Sequence, residues 1–460
     1  MGKLVASRIR FMTFTFLRHF SAKPKTTPEM ISSLVFNEDL KHRNHPGIIK
    51  PRTPTFPEWT LKEISNILAD HQISLKEIKE SAEKLLNHLN GRHQPIQEAK
   101  LYEKLLKVEK CLNVNKDDDE KVSIEDIDFK KNRRAKLLLK QNVYNWQPIN
   151  FDKLTCLTYM VGRIVQHYAV SHKILKEIRI RDEDFKPQTL FDFGSGLGTV
   201  TWAASEIWPN SLKEYLCIET SKPMIELSER LAKVAKPKIK NIFHREYFPA
   251  SPNPTYDIVV SAYSLFELPG TESRLETILK LWQKTERYLI IVEQGTNAGF
   301  ELVNEARDLV LRYTKSKYRR GDQQNAYVFS PCPHDLKCPR FGEKTPCNFN
   351  VLYHPLPFLK KPQHKSENYS YVVLKKDKRP ENDEQWPRIV RATLCRGKHT
   401  ICRMCVASGE LREEIFTKWK HGRDVYRCAR NSKWGDRLPI HYKELEDIPE
   451  GNDTGESAVE

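Results

Sequence analysis

The stretch Leu190-Phe-Asp-Phe-Gly-Ser-Gly-Leu-Gly198, followed by Thr199, decides the reading of this chain. Thr189 to Phe193 is a short apolar run of strand length, with Asp192 near its end. Gly194, Gly196 and Gly198 fall in the turn that opens the next helix. Glycines there let the backbone take positive φ and approach a ligand closely, and Thr199 stands where a helix start is expected. A second run, Tyr215 to Glu219, ends about 20 residues further on with a carboxylate placed to accept hydrogen bonds from both ribose hydroxyls. Asp192, Gly194, Ser195, Gly196, Gly198 and Glu219 together describe a site for an adenosine-bearing cofactor.

A glycine turn of this kind also serves nicotinamide dinucleotides. The acid on the strand before the glycines, and G-x-G-x-G in place of G-x-G-x-x-G, resemble S-adenosylmethionine-dependent methyltransferases more closely. Outward from the turn, Tyr256 to Ala262 and Tyr288 to Glu293 are strand-like, and helical patterns cover Thr199 to Trp208, Pro223 to Val234 and Glu272 to Lys284. Such alternation predicts a parallel, doubly wound sheet. The expected fold class is α/β: a class I S-adenosylmethionine-dependent methyltransferase (Rossmann-like) domain over 151–325, entered by a helix from Lys153 to Glu177. Residues 29–150 are expected to form a helical N-terminal domain, because Leu61, Ile64, Leu68, Leu75, Ile78, Ala82, Leu85, Leu86 and Leu89 recur at helical spacing. The pattern resumes over Ala99 to Leu112, and Phe129 to Lys140 reads as a basic helix. Residues 326–440 are Cys-rich and partly β, with a strand at Tyr369 to Lys375, and 441–460 read as an acidic disordered tail.

Lys plus Arg number 76 against 60 Asp plus Glu, a net charge of +16, which favours a polyanionic partner. No run approaches the ~20 apolar residues of a membrane-spanning helix, so no membrane partner is expected. The first 28 residues hold Lys3, Arg8, Arg10, Arg18, Lys23 and Lys25 and no acid, as in mitochondrial transit peptides, and matrix localisation is expected. Ten cysteines are unevenly spread: Cys111, Cys156 and Cys217 stand alone and seven lie between Cys332 and Cys428. In a reducing compartment such a cluster reads as metal ligands before disulfides.

No acceptor-activating group is legible. The fourth strand runs on as Ser261-Ala-Tyr-Ser-Leu-Phe-Glu267, without the Asn/Asp-Pro-Pro-aromatic tetrapeptide that holds an exocyclic amine, and no cysteine nucleophile lies between Cys217 and Cys332. Catalytic residues are therefore left unassigned.

Cys332, Cys338 and Cys347 give C-x5-C-x8-C, and Cys402-Arg-Met-Cys405 adds one C-x-x-C pair. A zinc ribbon usually presents two such knuckles. Widely spaced single thiolates also suit an iron–sulfur cubane, each iron needing one outward ligand. Spacing alone leaves both open, although it is far from the compact loop of radical S-adenosylmethionine enzymes.

From Tyr159 to Pro439 the chain resembles the small-subunit ribosome-associated methyltransferase-like proteins of mitochondria, which have fungal and bacterial relatives. The resemblance rests on Tyr159-Met-Val-Gly-Arg163, Asp192-Phe-Gly-Ser-Gly196, Glu293-Gln-Gly-Thr-Asn-Ala-Gly-Phe300, Pro331-Cys-Pro-His-Asp335, Trp386-Pro-Arg-Ile389 and His421-Gly-Arg-Asp-Val-Tyr-Arg-Cys-Ala-Arg430. One departure is Gln294, where relatives often carry proline. The resemblance implies a 4Fe-4S cluster held by Cys332, Cys338, Cys347 and Cys405, with Cys402 the rival for the fourth place. It also implies binding to the immature mitochondrial small ribosomal subunit, its rRNA and ribosomal proteins, by an assembly factor that leaves before translation. The S-adenosyl-L-methionine fold is implied with weak or absent catalysis; the alternative is an active methyltransferase of small-subunit rRNA. A monomer off the ribosome is the default expectation.

Three basic sets flank the cysteines: Arg312, Lys315, Lys317, Arg319 and Arg320 with Tyr313 and Tyr318; Arg388, Arg391, Arg396, Lys398, His399 and Arg403; and Arg423, Arg427, Arg430 and Lys433 with Trp434. Gathered by a metal centre, they predict one RNA-binding face with stacking aromatics.

Overall fold

The computed structural model describes residues 26–30, 42–71, 73–93, 148–315, 325–359 and 364–444. The segments expected as helices at Ala99 to Leu112 and Phe129 to Lys140 lie outside these residues, as do residues 1–25 of the expected leader.

Helices α1 (Glu58–Asp70) and α2 (Leu75–Asn90) come from the periodic stretch that the sequence presents as one pattern. The break is chemical: Ser74 caps α2, its hydroxyl accepting from Glu77 N at 3.2 Å while Glu77 reaches back to Ser74 N at 3.4 Å. Their apolar faces do not form a separate core. Ile64, Ile67, Leu68, Ile78 and Ala82 join Leu157, Val161, Ile164 and Val165 of α3 (Lys153–Arg181) in one buried cluster. Arg230 straps α1 to the body through Glu63 (2.6 Å) and Asp70 (2.7 Å).

Strands β2 (Thr189–Phe193), β3 (Glu214–Ile218), β4 (Ile242–Arg245), β5 (Tyr256–Ala262) and β6 (Thr285–Gln294) are mutually parallel and separated by helices α4 (Thr199–Ile207), α5 (Lys222–Lys233) and α6 (Thr271–Lys284). The spatial order is β4-β3-β2-β5-β6. The chain reverses direction across the sheet between β2 and β5, and the crevice beyond their carboxyl ends is where such sheets bind ligands. The doubly wound sheet expected from the sequence is present, with β4 the parallel strand that short, mixed patterning hid.

Beyond helix α7 (Asn297–Lys315) come β7 (Tyr327–Ser330), β8 (Phe349–Tyr353) and β9 (Lys365–Lys375). β9 inserts antiparallel beside β6, and its outer edge is shared by β7 and β8. Residue 325, the expected domain boundary, therefore stands just before three strands that complete this eight-stranded sheet. Long buried runs explain the insertion: Tyr371, Val372, Val373 and Leu374 are all buried against Leu289 to Val292.

A second, small sheet of β10 (Arg388–Ile389), β11 (Leu394–Cys395), β12 (His399–Cys405) and β13 (Leu411–Thr417) packs on helix α8 (Lys418–Asn431) around Ile389, Cys402, Met404, Phe416, Val425 and Cys428. Finally, β1 (Thr26–Met30) pairs antiparallel with β14 (Ile440–Glu444). Thus Thr26, Thr27 and Pro28 of the expected leader, and 441–444 of the expected tail, are paired backbone. No helix among the described residues is long and apolar enough to cross a membrane.

Candidate functional site

The glycine turn after β2 is pinned by Ile218 O, which accepts from Gly194 N (2.9 Å) and Ser195 N (3.0 Å). Gly194 has φ +69°, and a Cβ there would stand 2.5 Å from that of Ser264, so neither conformation nor space admits a larger residue. Gly198, φ +85°, caps α4. Glu219 binds the turn from below, Oε2 accepting from Gly196 N and Oε1 from Ser221 N, each at 3.0 Å. A carboxylate has further lone pairs for ribose hydroxyls. Asp192 is buried, and neither of its carboxylate oxygens has a partner among the described residues. Burial, and then the charge of Glu219, push its carboxyl up to about 8. A buried carboxylate without a partner is costly, and a cation seated on it removes that cost. The α-ammonium of S-adenosylmethionine is such a cation, and the residues fit it. The cleft, with about 360 Å³ of empty space including its open mouth, is lined by this turn and by Tyr159, His167, Val200 and Tyr263.

The acceptor side is occupied by rings. Tyr263, with φ +60° directly after β5, stacks on His167 at 3.8 Å between centroids and 6° between planes. His167 Nδ1 lies 3.2 Å from Tyr159 Oη, and burial followed by the charge of Arg163 holds the imidazole well below its usual range. Arg163 lies 5.6 Å from the Tyr263 ring and pairs with Glu367 at 3.0 Å. Where an amine-methylating enzyme would offer a carboxamide, this chain offers a neutral aromatic stack.

The second site is built from loops. Cys332 follows β7, Cys338 lies in the loop beyond it, Cys347 precedes β8, and Cys405 closes β12. A hydrogen bond from Cys347 pulls the Cys338 thiol down to about 7, and the charges of Cys338, Cys332 and Cys405 all act on Cys347. Cys405 is pushed up by burial and then by Cys332 and Cys338. The four thiols are therefore within electrostatic reach of one another, and the cysteines among the described residues are all free.

Cys402 is elsewhere. Three residues apart on a strand means opposite faces, so Cys402 points into the core under α8, 3.9 Å from Ala429 O, while Cys405 meets His334 Nε2 at 3.2 Å. The C-x-x-C pair is thus not a knuckle. Nor are any three His, Cys, Asp or Glu side chains among the described residues gathered to close on one ion. Thiolates of a single zinc stand about 3.8 Å apart, as its bond length requires; a cubane spreads its ligands more widely, one per iron.

The second of the three basic sets has two residues turned to structural work. Arg388 is buried, donating to Glu177, Pro331 O (3.0 Å) and Gly435 O (2.7 Å). Arg391 holds Pro346 O (2.9 Å) and Asn348 Oδ1 (3.2 Å). Arg396, Lys398, Arg403, Arg423, Arg430 and Lys433 stay exposed, whereas Lys317, Tyr318, Arg319 and Arg320 lie outside the described residues. Sequence reasoning missed Trp419. Between Lys418 and Lys420, it is 96% exposed, the most solvent-facing large apolar side chain among the described residues. The Lys-Trp-Lys pattern itself was the available signal.

Fold and site together define a methyltransferase-like protein of the class I fold, with an added thiol centre where its sheet meets a small basic β-domain. Residues 153–439 match the family described as mitochondrial small ribosomal subunit Rsm22, and the chain belongs to that family. The human ribosome assembly protein METTL17, mitochondrial, is 37% identical over 410 residues, covering 88% of this chain and 87% of that protein. The Rsm22-cox11 tandem protein 2, mitochondrial, of Schizosaccharomyces pombe is 29% identical over 62% of this chain and 43% of its own length. Among solved structures, magnesium protoporphyrin IX methyltransferase from Synechocystis with bound SAM aligns with 12% identity and a TM-score of 0.30, over 56% of this chain and 100% of that one.

Proposed function

We propose that this protein is an assembly factor of the mitochondrial small ribosomal subunit, acting in the matrix on immature rRNA. In this reading it carries a 4Fe-4S cluster on Cys332, Cys338, Cys347 and Cys405, and a cofactor cleft for S-adenosylmethionine whose catalysis is weak or absent. The observation that carries the reading is the meeting of four thiols from separate segments between the main sheet and the small basic sheet. Bound there, a cluster would supply a covalent tie between the two sheets. The chain's own residues do the rest. Asp192 and Glu219 hold the cofactor's ammonium and ribose, and the His167–Tyr263 stack denies an acceptor base the usual in-plane partner. Arg396, Lys398, Arg423 and Lys433 contact phosphates, while Trp419 stacks on an unpaired base. The assembly role is supported by family membership and by the likeness to the human ribosome assembly protein METTL17.

The test replaces the endogenous protein with the full chain carrying Cys332→Ser or Gly196→Arg, and follows small-subunit maturation by sedimentation and rRNA methylation by sequencing. Anaerobically purified wild-type chain should carry about four irons and four sulfides. Cys332→Ser is expected to stop maturation and Gly196→Arg to leave methylation unchanged. Loss of one specific rRNA methyl group in Gly196→Arg with normal maturation would establish the enzyme reading instead. Normal maturation with Cys332→Ser would defeat the cluster's role.

A further inference from the structure

The loop that carries three of the four thiols is held from within by a side chain of the neighbouring helix. Arg307, 3% exposed at the middle of α7, donates through Nη2 to His334 O (3.3 Å) and Leu336 O (2.5 Å) and pairs through Nη1 with Asp308 (2.5 Å). Its Nε has no partner among the described residues. Its positive charge bears on Cys332, Cys338 and Cys405, lowering each thiol against burial or neighbouring thiols. In the same loop, His334 is 2% exposed with Nε2 3.2 Å from Cys405 Sγ, while its Nδ1 has no partner among the described residues. Two buried nitrogen groups thus stand beside the thiols, Arg307 while also holding the loop's carbonyls and His334 in contact with Cys405 Sγ.

A cubane on four thiolates carries net negative charge, which grows by one on one-electron reduction. Hydrogen bonds and positive charge at the sulfurs favour the more negative state, and so raise the potential and hold the iron more firmly. Resting on the cluster reading above, we propose that Arg307 and His334 form the electrostatic shell of the centre. Arg307 supplies charge to Cys332 and Cys338, and His334 donates its Nε2–H to Cys405, so that the pair sets both the potential and the lability of the cluster. Both are positioning residues. A mere loop staple would act differently, since it needs the forked hydrogen bonds of arginine but not its charge.

The full chain, purified anaerobically, is titrated with dithionite as the one-electron reductant, its potential read by electron paramagnetic resonance. Cluster loss to an iron chelator is timed separately. Arg307→Met is expected to lower the midpoint potential and speed cluster loss by about 10-fold, the lower end for removal of such a supporting partner. Arg307→Lys, which keeps charge and loses the fork, should return the potential toward wild type. His334→Leu should lower the potential and His334→Gln, which retains an N–H, should restore it; this pair decides the matter where Arg307→Met does not fold. Unchanged potentials in Arg307→Met and His334→Leu with the cluster present would overturn the shell while leaving the cluster standing. A wild-type chain without iron and sulfide would overturn both.

Discussion

Replacing Glu177 by Gln should cost more stability than any single surface change, and the structure says how much. Glu177 is buried at 2% exposure in α3, and receives Arg388 at Oε1 and at Oε2 (3.4 Å), Arg181 at 3.1 Å and Tyr371 Oη at 3.2 Å. Despite burial, Arg388 and then Arg181 pull its carboxyl from an ordinary 4.5 to about 2, equivalent to about 3 kcal/mol in favour of the charged form. Removing one partner of a buried pair costs about 3–5 kcal/mol. Glu177→Gln belongs at the upper end, because Arg388, Arg181 and Arg437 then face one another without their shared carboxylate. Arg388→Met is milder on charge, since Arg181 still neutralises Glu177, but it strands Pro331 O and Gly435 O. In the double variant Glu177→Gln with Arg388→Met, the guanidinium that the amide would strand is gone, and its cost should fall short of the sum by about 2 kcal/mol. Urea unfolding of the full chain at pH 7 measures all three. The acid limb follows the same logic: a carboxylate depressed by folding contributes fully above its ordinary value and loses that contribution as pH falls from about 4.5 toward about 2. Wild type should lose more stability over that window than Glu177→Gln, whose remaining loss comes from other depressed carboxylates such as Asp182 and Glu206. Additive single and double costs, or a Glu177→Gln cost within about 0.5 kcal/mol, would refute the reasoning.

Cys405→Ser should remove iron and sulfide from the anaerobically purified chain, whereas Cys402→Ser, on the opposite face of β12, should keep both and lose only a little packing. Asp192, protonated at neutral pH because burial raises it to about 8, must ionise to hold an ammonium. S-adenosylmethionine affinity by calorimetry should therefore rise from pH 6 toward 8, by up to about tenfold per pH unit, and Asp192→Asn should flatten that profile. Trp419→Ala should weaken binding to single-stranded rRNA segments by about 1–3 kcal/mol, the range for one stacked base, with the salt dependence unchanged; a matching loss on duplex RNA would count against stacking.

The parallel half of the fold was legible because each element is long, apolar and closed by a chemical signal. Asp192, the glycine turn and Glu219 occupy the strand ends that the sequence assigned them, and β2 and β5 match the expected spans to the residue. β4 escaped because Ile242, Phe243, His244 and Arg245 are half-exposed at the sheet edge and carry little periodicity. The antiparallel insertion of β9 escaped because nothing local tells a strand which neighbour it will have. For the same reason the choice between Cys402 and Cys405 could not be made from spacing. It turns on His399–Cys405 being a strand, whereupon alternation separates the two thiols. Arg388 and Arg391 misled because charge density reads alike whether a guanidinium meets phosphate or a buried carboxylate and loop carbonyls.

What joins the two sites is the passage from β6 into α7. Gly295 lies so close to β9 that a Cβ would stand 2.7 Å from Asn368 C, and Gly299 so close to the strand end that a Cβ would stand 2.1 Å from Gln294 O. These contacts explain two of the glycine and small-residue positions in Glu293-Gln-Gly-Thr-Asn-Ala-Gly-Phe300, and they fix the start of α7 against the sheet. Gly295 O in turn accepts from Asn348 Nδ2 at 2.7 Å, Asn348 Oδ1 accepts from Arg391 at 3.2 Å, and Cys347 O accepts from Ser370 Oγ at 2.9 Å. The third thiol, the small sheet and the end of β6 therefore share one hydrogen-bonded junction. Ten residues further along α7, Arg307 grips the loop of the first two thiols. One helix is thus anchored at its start to β6 and at its middle to the cysteine loop. At the carboxyl end of β6, Glu293 supports the segment after β5, its Oε1 accepting from Leu265 N at 2.9 Å. The strand end at Glu293 and the cysteine loop are thus linked through one helix by contacts that the fold itself makes.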